Sequence, residues 1–150
     1  MAAPQAAFTA LTNMTWRHAE NRAKCGAAGG VELVVGVLRR HFDGGPAELL
    51  GHACGALVNM ITGHTENQAK CGATGGVELV VGVLRRHYDG GPAVLLEPAC
   101  RAIWHVTCNN ASNAARCRAV GGRDILAAVL RAHSGPPDLR RGARGALAQL

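Results

Sequence analysis

Aromatic residues make up only 3% of this 150-residue chain: two Trp, two Phe and one Tyr. So few large, flat side chains argue against a core built around aromatic pockets, and with it against a small-molecule enzyme. The chain also lacks any run of about 18 apolar residues. Its opening, MAAPQAAFTALTNM, has no basic stretch followed by an apolar one, as a secretory signal would. It is therefore expected to be soluble and cytoplasmic or nuclear, neither secreted nor membrane-bound. No CxxC or CxxH pair brings two metal ligands together, and no nucleophile can be matched with a base and an orienting acid. The glycines of GGVELVVG form neither a GKS/GKT nor a GxGxxG phosphate loop. Enzyme activity is not expected, and no cofactor or metal is implied.

What is present is a composition 48% hydrophobic, rich in Ala, Val, Leu and Gly, which suits thin layers of closely approaching helices in one domain. The formal charge of +6 admits acidic partners. Its Lys and Arg residues are scattered in pairs at helix ends, and few aromatics are available to stack on bases, so nucleic acid is a disfavoured partner. The one dense cluster, Arg140, Arg141 and Arg144, falls near the start of the last predicted helix, where the helix dipole disfavours cations.

The dominant feature is an internal repeat. Glu20 to Leu50 recurs from Glu66 to Leu96 at an offset of 46 residues, with only four of 31 positions changed. A fixed period of this size signals a stack of similar units, each able to bury its apolar face only against its neighbours. The period accounts for five of the six cysteines: Cys25, Cys71 and Cys117 are one repeat position, Cys54 and Cys100 another. Equivalent positions in stacked units lie about 10 Å apart, beyond disulfide reach, so these thiols read as small buried hydrophobes.

Within one unit, ENRAKCGAAGG predicts a helix of one to two turns, stopped by Gly26 and again by Gly29-Gly30. VELVVGVLRRH follows with Val31, Val34, Val35 and Leu38 at helical spacing and a basic end that complements a helix C-terminus. Gly36 and Gly82 in the middle of this second helix are expected where a neighbouring helix crosses closely. His41, His87 and His133 read as C-terminal capping residues. After the loop FDGGP, a third helix over about Ala47 to Thr62 carries the apolar stripe Leu49, Leu50, Ala53, Ala56, Leu57, Met60 and Ile61. The chain divides into 1-19, a partial repeat with a third helix alone over about Gln5 to Arg17, then 20-65, 66-111 and a shortened 112-150.

The sequence ACGALVN, with Ala53, Ala56, Leu57 and Asn59, preceded by NRAKCGAAGGVELVVGVL, resembles the armadillo repeat. That resemblance implies an all-α, right-handed α-solenoid with three helices per repeat. It also implies a binding scaffold whose third helices line a concave groove for an extended peptide or protein segment. In that family an Asn late in the third helix bonds the peptide backbone; the matching row here is Asn13, Asn59, His105 and Gln149. The neighbouring Trp position reads Thr9, Gly55, Arg101 and Gly145, so the aromatic pockets that hold nuclear-localisation signals are absent. Trp16 and Trp104 lie nearby at other angles; Trp104 is either a partner anchor or packing between adjacent third helices. Arg17 and Arg101 could pair with an acidic partner or stand as solvated cations. The alternative function is a structural or self-assembling module, a homo-oligomer through uncapped repeat ends, which near-identical repeats born of duplication or design would suit.

Overall fold

Three glycines set the punctuation of the chain. Gly29, Gly75 and Gly121 take φ values of 83°, 80° and 78°, a left-handed conformation that a side chain would strain. Each ends a short helix and turns the chain into the next. The computed structural model describes residues 3–150, and among these there are ten α-helices and no strand. The helices are α1 (Ala3–Thr15), then α2 (Ala19–Ala27), α3 (Gly30–His41) and α4 (Ala47–Ile61). The same order recurs in α5 (Thr65–Ala73), α6 (Gly76–His87) and α7 (Ala93–Thr107), and in α8 (Ala111–Ala119), α9 (Gly122–Ala132) and α10 (Pro137–Leu147). Sequence position thus repeats as short, middle and long helix, as the 46-residue period requires.

The longer helices carry the core. α1 packs on α4, α4 on α7 and α7 on α10, while α3, α6 and α9 flank α4, α7 and α10 respectively. The spacing that predicts the second helix buries Val31, Val34, Val35 and Leu38 completely. The third-helix stripe from Leu49 to Ile61 is likewise buried, as are Leu95, Leu96, Ala99, Ala102, Ile103 and Val106 on α7. Each fully buried Leu or Ile contributes about 1.5–3 kcal/mol relative to exposure. Small residues between them let the axes approach: a Cβ on Gly51 would collide with the Val94 carbonyl, so α4 and α7 nearly touch at that point. Pro98, inside α7, has no N–H to offer that same carbonyl.

Polar side chains tie one repeat to the next. Asn67 on α5 donates from Nδ2 to the Met60 carbonyl at 2.9 Å, closing its own repeat boundary, and to the Arg22 carbonyl of α2 at 3.0 Å. Asn113 on α8 does the same to Val106 at 3.0 Å and Gln68 at 2.9 Å. Both asparagines are buried, each with its amide against a glycine of the preceding short helix, Gly26 or Gly72, where a Cβ would collide with it. Gly26 therefore lies inside α2 rather than stopping it, a correction to the expectation from sequence: its role is to leave room for Asn67. Arg22 reaches the Thr62 carbonyl at the end of α4 in its own repeat at 2.9 Å, and Lys70 crosses the boundary to the Gly26 carbonyl at 2.8 Å. Arg39 and Arg85 reach Thr74 and Val120, the last carbonyls of the next short helices. Helix C-termini that would otherwise leave carbonyls unpaired are thus capped from the adjacent repeat.

Other expectations need revision. Gly82 meets no crossing helix backbone but the Phe42 ring of the preceding repeat, and nothing lies within 4 Å of the place a Cβ on Gly36 would take. The close approach at Gly82 is supplied by an aromatic one repeat back, and no described residue stands in the equivalent place over Gly36. His133 does hold the C-cap of α9, its backbone N–H on the Val129 carbonyl, while its Nε2 lies 2.7 Å from the Tyr88 carbonyl at the end of α6; Phe42 and Tyr88, not His41 and His87, hold the capping positions of α3 and α6. Arg140, badly placed for its own helix dipole, points back to the Leu130 and His133 carbonyls at 2.9 and 2.7 Å and so complements the end of α9.

Removing the buried amide in Asn67→Ala takes the side-chain donor from the Met60 carbonyl and a second donor from the Arg22 carbonyl, and is expected to cost about 2–3 kcal/mol. Asn21, which holds only the Met14 carbonyl at 2.7 Å in a more exposed setting, should cost about 1 kcal/mol or less on substitution. Urea denaturation of the two variants checks this; equal losses would contradict the boundary role of Asn67.

Candidate functional site

Opposite the core, the third helices present residues at spacings of three and four along one face. On α7 that face carries Glu97, Arg101, Trp104 and His105; on α10 it carries Asp138, Arg141 and Gly142. These seven line a cleft of about 360 Å³ between the two helices. A second cleft, of about 320 Å³, is lined by Thr12 of α1, Gly51, His52 and Gly55 of α4, and Ala93, Val94, Glu97 and Pro98 of α7. Glu97 borders both, so the two clefts form one surface across α1, α4, α7 and α10.

Trp104 shapes the first cleft. Its indole lies over Gly145 of α10, where a Cβ would collide with the ring, and stacks on His105 with centroids 5.2 Å apart and planes 17° from parallel. Trp104 is therefore packing between adjacent third helices and a wall of the cleft at once. Arg101 packs its stem against Gly142, whose added Cβ would stand 3.2 Å from Cγ. Among the described residues none of Glu97, Arg101, Asp138 and Arg141 belongs to an ion pair; the four such pairs lie elsewhere. Asp138, in the first turn of α10, is stabilised by the helix dipole.

Of the residues singled out from sequence, Arg101, Trp104 and His105 come together in the first cleft, and Gly55 opens onto the second with nothing within 4 Å of its Cβ position. Asn59 is 8% exposed, and its Nδ2 sits 3.5 Å from the Thr12 carbonyl of α1, a long and weak hydrogen bond. Thr9 and Asn13 are exposed on α1, with the Thr9 hydroxyl bonded to the Gln5 carbonyl at 3.0 Å. Trp16 is 53% exposed just past α1, and the Arg17 guanidinium lies 5.4 Å from its ring centroid. Gln149 stands apart, in a cleft with Thr107, Asn109 and Arg118. Sequence reasoning missed Glu97, Asp138 and Arg141 in the first cleft. The four-residue step from Glu97 to Arg101 was the available signal, but the pairing of α7 with α10 was not visible in it.

Burial pushes the Cys54, Cys71 and Cys100 thiols up to about 12, and Cys117 to about 11, so none of the four is a thiolate near neutral pH. Among the described residues no group of three or more His, Cys, Asp or Glu could hold a metal ion, and no helix is long and apolar enough to cross a membrane. No protein-family model and no curated protein matches this chain.

Burial, and then the charge of Arg101, lowers the His105 pKa from its ordinary 6.5. His87 is lowered too, by burial and then by Arg86. An unfolded histidine takes up its proton as pH falls through about 6.5, before the folded one does, so acid favours the unfolded chain. Stability contributed by neutral His105 is present above the unfolded value and lost as pH drops toward the lowered folded one. In urea titrations between pH 7.5 and 5, His105→Gln should flatten that loss; a slope unchanged from the parent would contradict the assignment.

Proposed function

We propose that the chain is an armadillo-type solenoid that binds an extended, acidic peptide along the face of α1, α4, α7 and α10, with no catalytic role. The supporting observation is the cleft between α7 and α10. Two arginines and two carboxylates face one space without pairing with each other, and an indole walls it. Unpaired charges flanking an aromatic wall are what a charged, extended ligand can satisfy. Glu97 and Asp138 each stand about one helical turn before an arginine, Arg101 and Arg141, and those arginines suit ligand carboxylates; the net charge of +6 favours the approach of such a ligand. An armadillo reading is supported by the order of short, middle and long helices and by the alignment of the third helices.

The reading departs from the Asn-ladder mode of that family. Asn59 faces the Thr12 carbonyl, so Arg101, Trp104 and His105 carry the recognition in place of a regular row of amides.

A peptide selected from a random library against the purified chain is expected to be extended and rich in Asp or Glu. Arg101→Gln together with Arg141→Gln should weaken it tenfold or more, about 1.4 kcal/mol, with the fold intact by circular dichroism. Selected peptides without acidic residues, or an affinity unchanged in the double variant, would contradict the proposal.

A further inference from the structure

The boundary between repeats occurs twice inside the chain, and its two sides differ chemically. The later repeat brings the asparagine amide, a row of apolar side chains and a glycine on its middle helix. The earlier repeat brings a glycine to receive the amide and an aromatic ring to cover the other glycine. At the first boundary these are Gly26 under Asn67, and the Phe42 ring, 2.9 Å from where a Cβ on Gly82 would stand. At the second, Gly72 lies under Asn113 and Tyr88 holds the sequence position of Phe42, but Ala128 stands where the middle helix of the second repeat has Gly82, so the ring-over-glycine contact belongs to the first boundary alone.

The first repeat presents the later repeat's side of this interface, the asparagine and the middle-helix glycine, with nothing against it. Met14 is 59% exposed, whereas its equivalent Met60 is fully buried. Leu33 is 63% exposed, and its equivalent in the last repeat, Ile125, is 6% exposed. Asn21 bonds only the Met14 carbonyl of α1, with no short-helix carbonyl like those that Asn67 and Asn113 reach, and the space over Gly36 is empty. Between Leu11, Met14, Asn21 and Cys25 lies a mostly apolar cleft of about 280 Å³.

The other end of the chain does not match this face. Arg118 occupies the repeat position of Gly26 and Gly72, and Ser134 that of Phe42 and Tyr88. A Cβ alone at the glycine position collides with the asparagine amide; arginine adds a long charged chain to that collision.

We propose that the face formed by Leu11, Met14, Asn21, Cys25 and Gly36 docks a helical repeat of this chain's own type, one that presents glycine to Asn21 and an aromatic ring to Gly36. Arg118 and Ser134 bar the chain's own far end from that place. The occupant follows from continuity with the internal boundaries: both seat an asparagine amide against a glycine, and the first also sets an aromatic ring over the middle-helix glycine. Head-to-tail polymerisation is correspondingly suppressed, although both ends of the stack expose apolar side chains.

The test adds a second copy of residues 20–46, with Cys25→Ser made in the added copy so that its peptide is distinct, ahead of Met1, which then follows Pro46 as Ala47 does in the chain. Alkylation of Cys25 is timed and read by peptide mass. Its thiol is half-buried, whereas its equivalent Cys71 is 1% exposed, so docking should slow the reaction about tenfold toward the Cys71 rate. Gly26→Arg made in the added copy should leave the Cys25 rate at that of the parent chain. Equal Cys25 rates in the glycine and arginine versions, whether both slowed or both unchanged, would overturn the proposal. So would a parent chain whose mass in light scattering rises with concentration and returns to monomer in Asn21→Ala, because the far end would then fill the docking face.

Discussion

One buried amide group per repeat boundary holds this structure in register. Asn67 and Asn113 each give both amide hydrogens to backbone carbonyls of the preceding repeat, one in its short helix and one at the end of its long helix. A buried carbonyl left without a donor costs about as much as the bond itself gains, so the pairing is enforced from both directions. The geometry permits only glycine opposite, at Gly26 and Gly72. Two residue types 41 positions apart in sequence are thereby bound to each other, and the apolar layers between them have one alignment to adopt.

That alignment places the candidate site. With α4 on α7 and α7 on α10, side chains that need not pack point away from the core, and the exposed face of the third helices becomes a continuous surface. The two near-identical repeats agree through their short and middle helices and diverge along the third: Gly55 against Arg101, Val58 against Trp104, Asn59 against His105. Glycine then serves the site as well as the boundary. Gly142 and Gly145 admit the Arg101 stem and the Trp104 ring, so the cleft is formed by small residues of α10 receiving large ones of α7.

Much of the fold could be read from the residues because period and packing share a cause. Val31, Val34, Val35 and Leu38 are apolar at helical spacing since that face is buried, and the 46-residue offset predicts every later helix once the first unit is placed. Gly26 misled for a physical reason: glycine ends helices and also makes room between them, and only the position of Asn67 in space distinguishes the two. The Arg140 side chain was anomalous in sequence because its partners, the Leu130 and His133 carbonyls, belong to the preceding helix. The site was legible on one side only. Arg101, Trp104 and His105 stand out where the repeats diverge, whereas Asp138 and Arg141 lie in the shortened last repeat, whose register changes by two residues and hides their pairing with α7.

If the asparagine amides are what couples the repeats, the coupling should be visible in how the molecule opens. Native-state hydrogen exchange measures the free energy of opening helix by helix. In the Asn113→Ala protein, α8, α9 and α10 are expected to exchange at a lower free energy than α4, α5 and α6, while the latter keep the protection they have in the parent chain. Protection reduced evenly from α1 to α10 would contradict the account, since it would show that the apolar layers alone hold the repeats together.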